Sequence, residues 1–256
     1  MRPVGIVILG SHRSGTSVLA DMLLRWGAYG RKEDTGSGDI WNPKGYWEYA
    51  PLVRFNEKLL HVLGARWYRP PQATARESLL ALTDSEPYRS EAARLVSCFS
   101  SHTPWLWKDP RLSVLLPFWS RFWGHVLYVI SVRDPKEVAN STRLRNHLTM
   151  AEGLHLWQSY MVAIMRDVRD PRVFVSYESL IADPAAESRR ICEFLNPMFG
   201  IDASELDLRC RTLAEAVDPN LRRSGEGLSA ADNALLTTDQ IELHRWLQQE
   251  CARFIS

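Results

Sequence analysis

The sequence is short of cysteine and has no cysteine pair. Cys98, Cys192, Cys210 and Cys251 are far apart with no C-x-x-C spacing, which fits reduced thiols better than a disulfide framework or a zinc site. It also lacks a charge of one sign. With 31 basic and 30 acidic residues the net charge is +1, so no nucleic-acid partner is expected and local patches must carry any anion binding. Long apolar runs are absent as well. The opening "MRPVGIVILG" contains an apolar run of strand length, without the core of a secretory signal or a membrane span, so a cytoplasmic protein is expected. No repeat, low-complexity tract or linker divides residues 1–256, and a single domain is expected. No carboxylate or histidine cluster has the spacing of metal ligands.

What is present is apolar and periodic. Hydrophobic residues make up 45% of the chain, enough for a sizeable core. Of the ten tryptophans most should be core, with a few near the motifs lining a pocket. "VGIVIL" (4–9) reads as a strand buried on both faces, and residues 104–110, 125–132 and 172–177 as further strands. Between them, helical spacing marks residues 18–26, 51–64, 74–101, 134–146, 154–168 and 183–196, and a last helix carries Leu243, Trp246, Leu247, Cys251 and Phe254. This alternation predicts an α/β fold of three layers, a P-loop-type arrangement with a central parallel β-sheet flanked by helices. The polar stretch 30–48 reads as a long loop, and residues 30–103 as the insertion that binds a second substrate.

"GSHRSGTS" (10–17) has the glycine spacing of a phosphate-binding loop but lacks its lysine: Thr16 takes that place, and the positive charge is Arg13. A glycine-rich turn between a strand and a helix gathers backbone N–H groups around an anion, and the helix dipole adds to them. Ser11, His12, Arg13, Ser14, Gly15, Thr16 and Ser17 are therefore the candidates for holding one phosphate, with the Arg13 fork on its oxygens. Without the lysine that serves a triphosphate, ATP or GTP hydrolysis is disfavoured.

The pattern repeats at "LYVISVRDPKEVANS". Arg133 ends a strand, Asp134 caps a helix with Pro135 at its first position and Glu137 closing a capping box, and Ser141 lies two turns on. Arg133 alone would read as an ion-pair partner; two such sites at the ends of strands in one sheet point to a ligand with two phosphates.

At these motifs the chain resembles the sulfotransferases that use 3′-phosphoadenylyl sulfate, particularly their bacterial and carbohydrate or tyrosyl-protein branches. "SHRSGTS" is similar to their 5′-phosphosulfate loop, and "VRDPKEVANS" to their 3′-phosphate motif, mapping onto Arg133 and Ser141. "LWKDPRL" resembles the element whose lysine contacts the sulfuryl group, implying Lys108, and "VSYESLIADP" the segment whose tyrosine lies by the adenine, implying Tyr177. "NLRRSGEG" loosely resembles the basic segment that closes over the 3′-phosphate, and leaves Arg222 and Arg223 as equal candidates. The resemblance implies 3′-phosphoadenylyl sulfate (PAPS) as donor, adenosine 3′,5′-bisphosphate (PAP) as product, no metal, and Arg13 and Lys108 as stabilisers of the leaving oxygen. The acceptor would be a hydroxyl or amine of a carbohydrate, lipid or natural product.

One subgroup uses a histidine as base two residues after the lysine, where this chain has Pro110. Others use a glutamate after the first helix, which implies Glu48, among Tyr46, Trp47 and Tyr49 in an apolar setting; Asp109, Glu33 and Asp34 are its competitors. His12 and His102 have no counterpart in the family's motifs and are expected to be ordinary loop or surface histidines. The alternative is a small-molecule kinase using ATP and Mg²⁺, for which Asp109 and Asp134 would be the metal-binding carboxylates.

Overall fold

The computed structural model describes residues 4–31, 38–99, 101–169, 171–218, 228, 232 and 234–253. Its strands are β1 (Val4–Gly10), β2 (Trp105–Lys108), β3 (His125–Val132) and β4 (Arg172–Ser176). They pair in parallel in the spatial order β2-β1-β3-β4, with Gly10 opposite Ser131 and Ile8 opposite Lys108.

The strands are apolar almost throughout because both faces of the sheet are covered. Successive side chains point to opposite faces. Val7, Leu9, Trp107, Tyr128, Ile130 and Phe174 join one core, whereas Ile6, Ile8, Leu106, Leu127, Val129 and Val173 join the other. In chain order the helices are α1 (Thr16–Trp26), α2 (Ala50–Val62), α3 (Arg76–Ala81), α4 (Tyr88–Ser97), α5 (Leu112–Trp119), α6 (Pro135–Asn146), α7 (Met150–Asp167), α8 (Tyr177–Ala182), α9 (Pro184–Phe199), α10 (Ala203–Glu215) and α11 (Thr238–Ala252). Residues of α2, α5, α7 and α11 fill the first core, and those of α1, α9 and α10 the second. The three-layer α/β architecture expected from the alternation is therefore the one formed.

Differences lie at the helix ends. Gly27 stops α1 as expected: its φ of 112° is left-handed, and its N–H caps Leu23 and Leu24 carbonyls. Residues 74–101 do not form one helix; α3 and α4 are separated by a 3₁₀ turn and by Pro87, which precedes α4. Helix α7 begins at Met150, four residues before the expected apolar pattern, because Thr149 and Glu152 make a capping box. Helix α5 is buried at every position, so its apolar run "LSVLLPFW" shows no one-sided helical period. Cys98, Cys192, Cys210 and Cys251 are unpaired thiols. Among the described residues no helix is long and apolar enough to cross a membrane.

Strand order reverses at β1: the chain passes to β2 on one side and returns to β3 on the other. The crevice outside the carboxyl ends of β1 and β3 is where such sheets bind ligands.

Candidate active site

The loop after β1 enters α1 through a tight turn. Arg13 has a left-handed φ of 65°, and Gly15, the N-cap of α1, a φ of 97°. Ser14 Oγ donates to Ser11 O at 2.7 Å, and Ser131 Oγ of β3 donates to Ser14 O at 2.6 Å, so the turn is held from both sides. A Cβ on Gly15 would lie 2.4 Å from the Tyr177 ring. Gly15→Ala should therefore force loop and ring apart at a cost of about 1–3 kcal/mol. A melting temperature lowered by several degrees would check this; an unchanged value would refute it.

The second motif sits beside the first. Arg133 is buried; its Nη1 donates to Arg13 O at 3.0 Å, and its guanidinium lies 4.1 Å from the centroid of the Tyr177 ring. Asp134 caps α6 as expected, accepting from Lys136 N and Glu137 N. The expected capping box is corrected: the Asp134 N–H donates to Glu178 Oε1 at 2.9 Å, while Glu137 Oε2 accepts from Arg133 Nε and Nη2 at 3.1 and 2.9 Å. An ion pair one helical turn long wins over the weaker cap. Ser141 faces the loop and accepts from Arg13 Nε at 2.9 Å. The two motifs thus meet in one place.

Lys108 leaves the end of β2 with its side chain 2% exposed and donates to Glu48 Oε1 at 2.7 Å, Tyr46 O at 2.8 Å and Ser17 Oγ at 3.2 Å. Glu48 is therefore not in the apolar setting expected from its neighbours: Arg111 Nη1 also lies 3.8 Å from its other oxygen. Arg111 pairs with Asp109 at 2.8 Å and with Glu57. Burial alone would lower the proton affinity of Arg111, but Asp109, Glu48 and Glu57 outweigh it and push it up. Asp109 is fully buried and accepts from Asn56 Nδ2 and Arg111 N, so it is spent on structure rather than facing the cavity. Glu33, Asp34, Arg222 and Arg223 lie outside the described residues.

Arg13, Lys108, Glu48, Arg111 and Arg133 line a cavity of about 380 Å³, together with Tyr177 and the aromatics Trp41, Tyr46, Trp47 and Trp67, whereas Ser11, Ser14 and Ser141 do not face it. Arg13 is drawn down to about 10 by burial and by Arg145 and Arg133, against the opposing pull of Tyr46 and Asp39, and stays charged at neutral pH. Its Nη2 also donates to Trp41 O at 3.3 Å. His102 stacks on Tyr29 away from this cavity, as a loop histidine would. His12 departs from that expectation: it lines the cavity and its ring packs against Trp67 and Tyr160, with centroids 4.6 and 5.4 Å apart.

A model of the sulfotransferase family matches residues 3–199. The chain belongs to the sulfotransferase family. It is an enzyme of that type, and the kinase alternative falls with this finding. Among solved structures, the sulfotransferase domain of the Synechococcus PCC 7002 olefin synthase is 22% identical with a TM-score of 0.58, covering 96% of this chain and 95% of that one. The sulfotransferase domain from the curacin biosynthetic pathway is 14% identical with a TM-score of 0.52, covering 96% and 98%. Both share the fold. No curated protein matches the chain in sequence.

Two charged groups of this sulfotransferase were not singled out from sequence. Arg111 stands within the quoted "KDPRL" but is distinguished only by the carboxylates that converge on it. Arg145 lies one turn beyond Ser141, a spacing that puts both on one face of α6; it pairs with Asp39 at 3.3 Å and lies over the Tyr46 ring at 4.8 Å. Tyr46 Oη in turn donates to Asp39 at 2.7 Å, and burial with that bond pushes its phenol up to about 12.

Proposed function

We propose that the enzyme moves a sulfuryl group from 3′-phosphoadenylyl sulfate to a hydroxyl or amine of a carbohydrate, lipid or natural product. The observation that supports it most is the 2.9 Å bond from Arg13 to Ser141, which joins the 5′-type loop to the 3′-type motif, whose Arg133 lines the same cavity as Arg13. In this proposal the N–H groups and hydroxyls of residues 11–17 hold the 5′-phosphate, and Arg133 and Ser141 hold the 3′-phosphate with Arg222 or Arg223. Tyr177, under the Arg133 guanidinium, flanks the adenine. Transfer is in line: the acceptor oxygen attacks sulfur, the bond from sulfur to the bridging oxygen breaks, and PAP leaves. Lys108 and Arg13 stabilise the charge gathering on the phosphate side, and Glu48 takes the acceptor's proton. Residues 30–103, which contribute Trp41, Tyr46 and Trp67 to the cavity, form the acceptor side of a single-domain cytoplasmic enzyme. Transfer of labelled sulfate from PAPS across an acceptor panel tests the activity.

Arg133→Ala tests the assignment of the 3′-phosphate site. Loss of a charged hydrogen-bonding partner costs about 1.5–3 kcal/mol. The affinity of PAP should fall by roughly ten- to a hundredfold, while adenosine 5′-monophosphate, lacking the 3′-phosphate, should lose much less. Equal losses for both nucleotides would show that Arg133 only supports the loop.

A further inference from the structure

His12 sits in the donor loop, yet its side chain takes no part in holding that loop. Its ring is wedged between Trp67 and Tyr160, and it lines the cavity. Tyr160 fixes this wall from behind, its hydroxyl donating to Trp67 O at 2.9 Å. Nε2 is buried without a hydrogen-bond partner, and among the described residues no side-chain hydrogen bond is made by either ring nitrogen. Buried polar atoms are rarely left so, and one at a cavity wall marks a place that a ligand completes. The donor's phosphates call for cations, and this group is not one. Burial, with Arg111, Lys108, Arg13 and Arg145 around it, holds the imidazole uncharged, its pKa well below the ordinary histidine value. A neutral imidazole keeps one N–H donor and one lone pair, which suits a hydroxyl.

The surrounding charges point the same way. Arg111 is committed to Glu48, Asp109 and Glu57, and Arg145 to Asp39. Lys108 is likewise held by Glu48, so of the four cations around the ring three are matched by carboxylates and the fourth, Arg13, is assigned to the donor, which favours an uncharged acceptor beside His12.

We propose that His12 is an acceptor-binding residue: its ring N–H donates to the acceptor hydroxyl oxygen while Trp67 supports an uncharged ring next to it. This rests on the sulfuryl-transfer proposal above, in which Glu48 accepts the hydroxyl proton. A hydroxyl can do both, since it donates once and accepts twice. His12 then fixes the oxygen so that its remaining lone pair faces sulfur.

The test compares wild type, His12→Phe, His12→Gln and Trp67→Ala, using 2-naphthol as an uncharged acceptor probe with saturating PAPS, and measuring PAP affinity alongside. In His12→Phe the ring plane is kept and the donor lost. Its KM for 2-naphthol should rise about tenfold with PAP affinity within about threefold of wild type. His12→Gln, which retains an N–H, should recover part of that KM, and Trp67→Ala should raise KM while sparing PAP. An unchanged KM in His12→Phe, or a loss of PAP affinity equal to the loss in kcat/KM, overturns the inference and leaves sulfuryl transfer standing. Failure of the wild type to transfer label from PAPS to 2-naphthol or to any acceptor of the panel overturns both. Transfer to other acceptors but not to 2-naphthol overturns the uncharged-ring part of the subsite.

Discussion

Lys108→Ala should lower kcat by about 10²–10³-fold, the loss seen when one preorganised donor to a developing charge is removed. The physical basis is the burial of Lys108 at the point where β2 ends. Its ammonium is almost sealed from water and already aimed at Ser17, Tyr46 O and Glu48. A charge fixed in a low-dielectric cavity costs no reorganisation as the bridging oxygen becomes negative. Donor affinity should suffer less than turnover, because charge on that oxygen grows only as the bond to sulfur breaks. Single-turnover transfer of labelled sulfate separates the two quantities. A kcat within a few-fold of wild type would remove Lys108 from the chemistry.

Glu48→Gln should lower kcat by about 10²–10⁴-fold, the contribution typical of a positioned base. Glutamine keeps the size of the side chain and an oxygen able to accept from Lys108, so PAP should bind nearly as before. The carboxylate is less than one-fifth exposed, held by Lys108 on one oxygen and near Arg111 on the other. These two cations set its direction, which is why its aromatic sequence neighbours misdescribe its surroundings. Wild-type turnover in Glu48→Gln would reassign the base. Loss of PAP binding in parallel with turnover would make Glu48 a support for Lys108 instead.

The layers and the phosphate-type motifs were legible because they depend on short-range order. Buried parallel strands read as unbroken apolar runs, and "SHRSGTS" and "VRDPKEVANS" each lie between a strand and a helix in the sequence itself. The contacts that build the site are long-range and left no local signal. His12 and Trp67 are far apart in sequence and meet only when the loop after β1 and the segment after α2 pack together. Arg111 became a junction through Glu48 and Glu57, both from the 30–103 stretch. Trp47 has a left-handed φ of 56°, and the next residue, Glu48, accepts from Lys108 Nζ at 2.7 Å, a partner 60 positions away in sequence. The capping box failed for a related reason: Glu137 is one turn from Arg133, and an ion pair at that spacing is stronger than a cap that Glu178 can replace.

Calorimetric titration of PAP, adenosine 5′-monophosphate and ATP, with and without Mg²⁺, tests the two-phosphate donor site most directly. Two charged sites should make PAP bind at least about a hundredfold tighter than the monophosphate, with no change when a chelator is added. Equal affinity for PAP and the monophosphate, or tighter binding of ATP that depends on Mg²⁺, would contradict it.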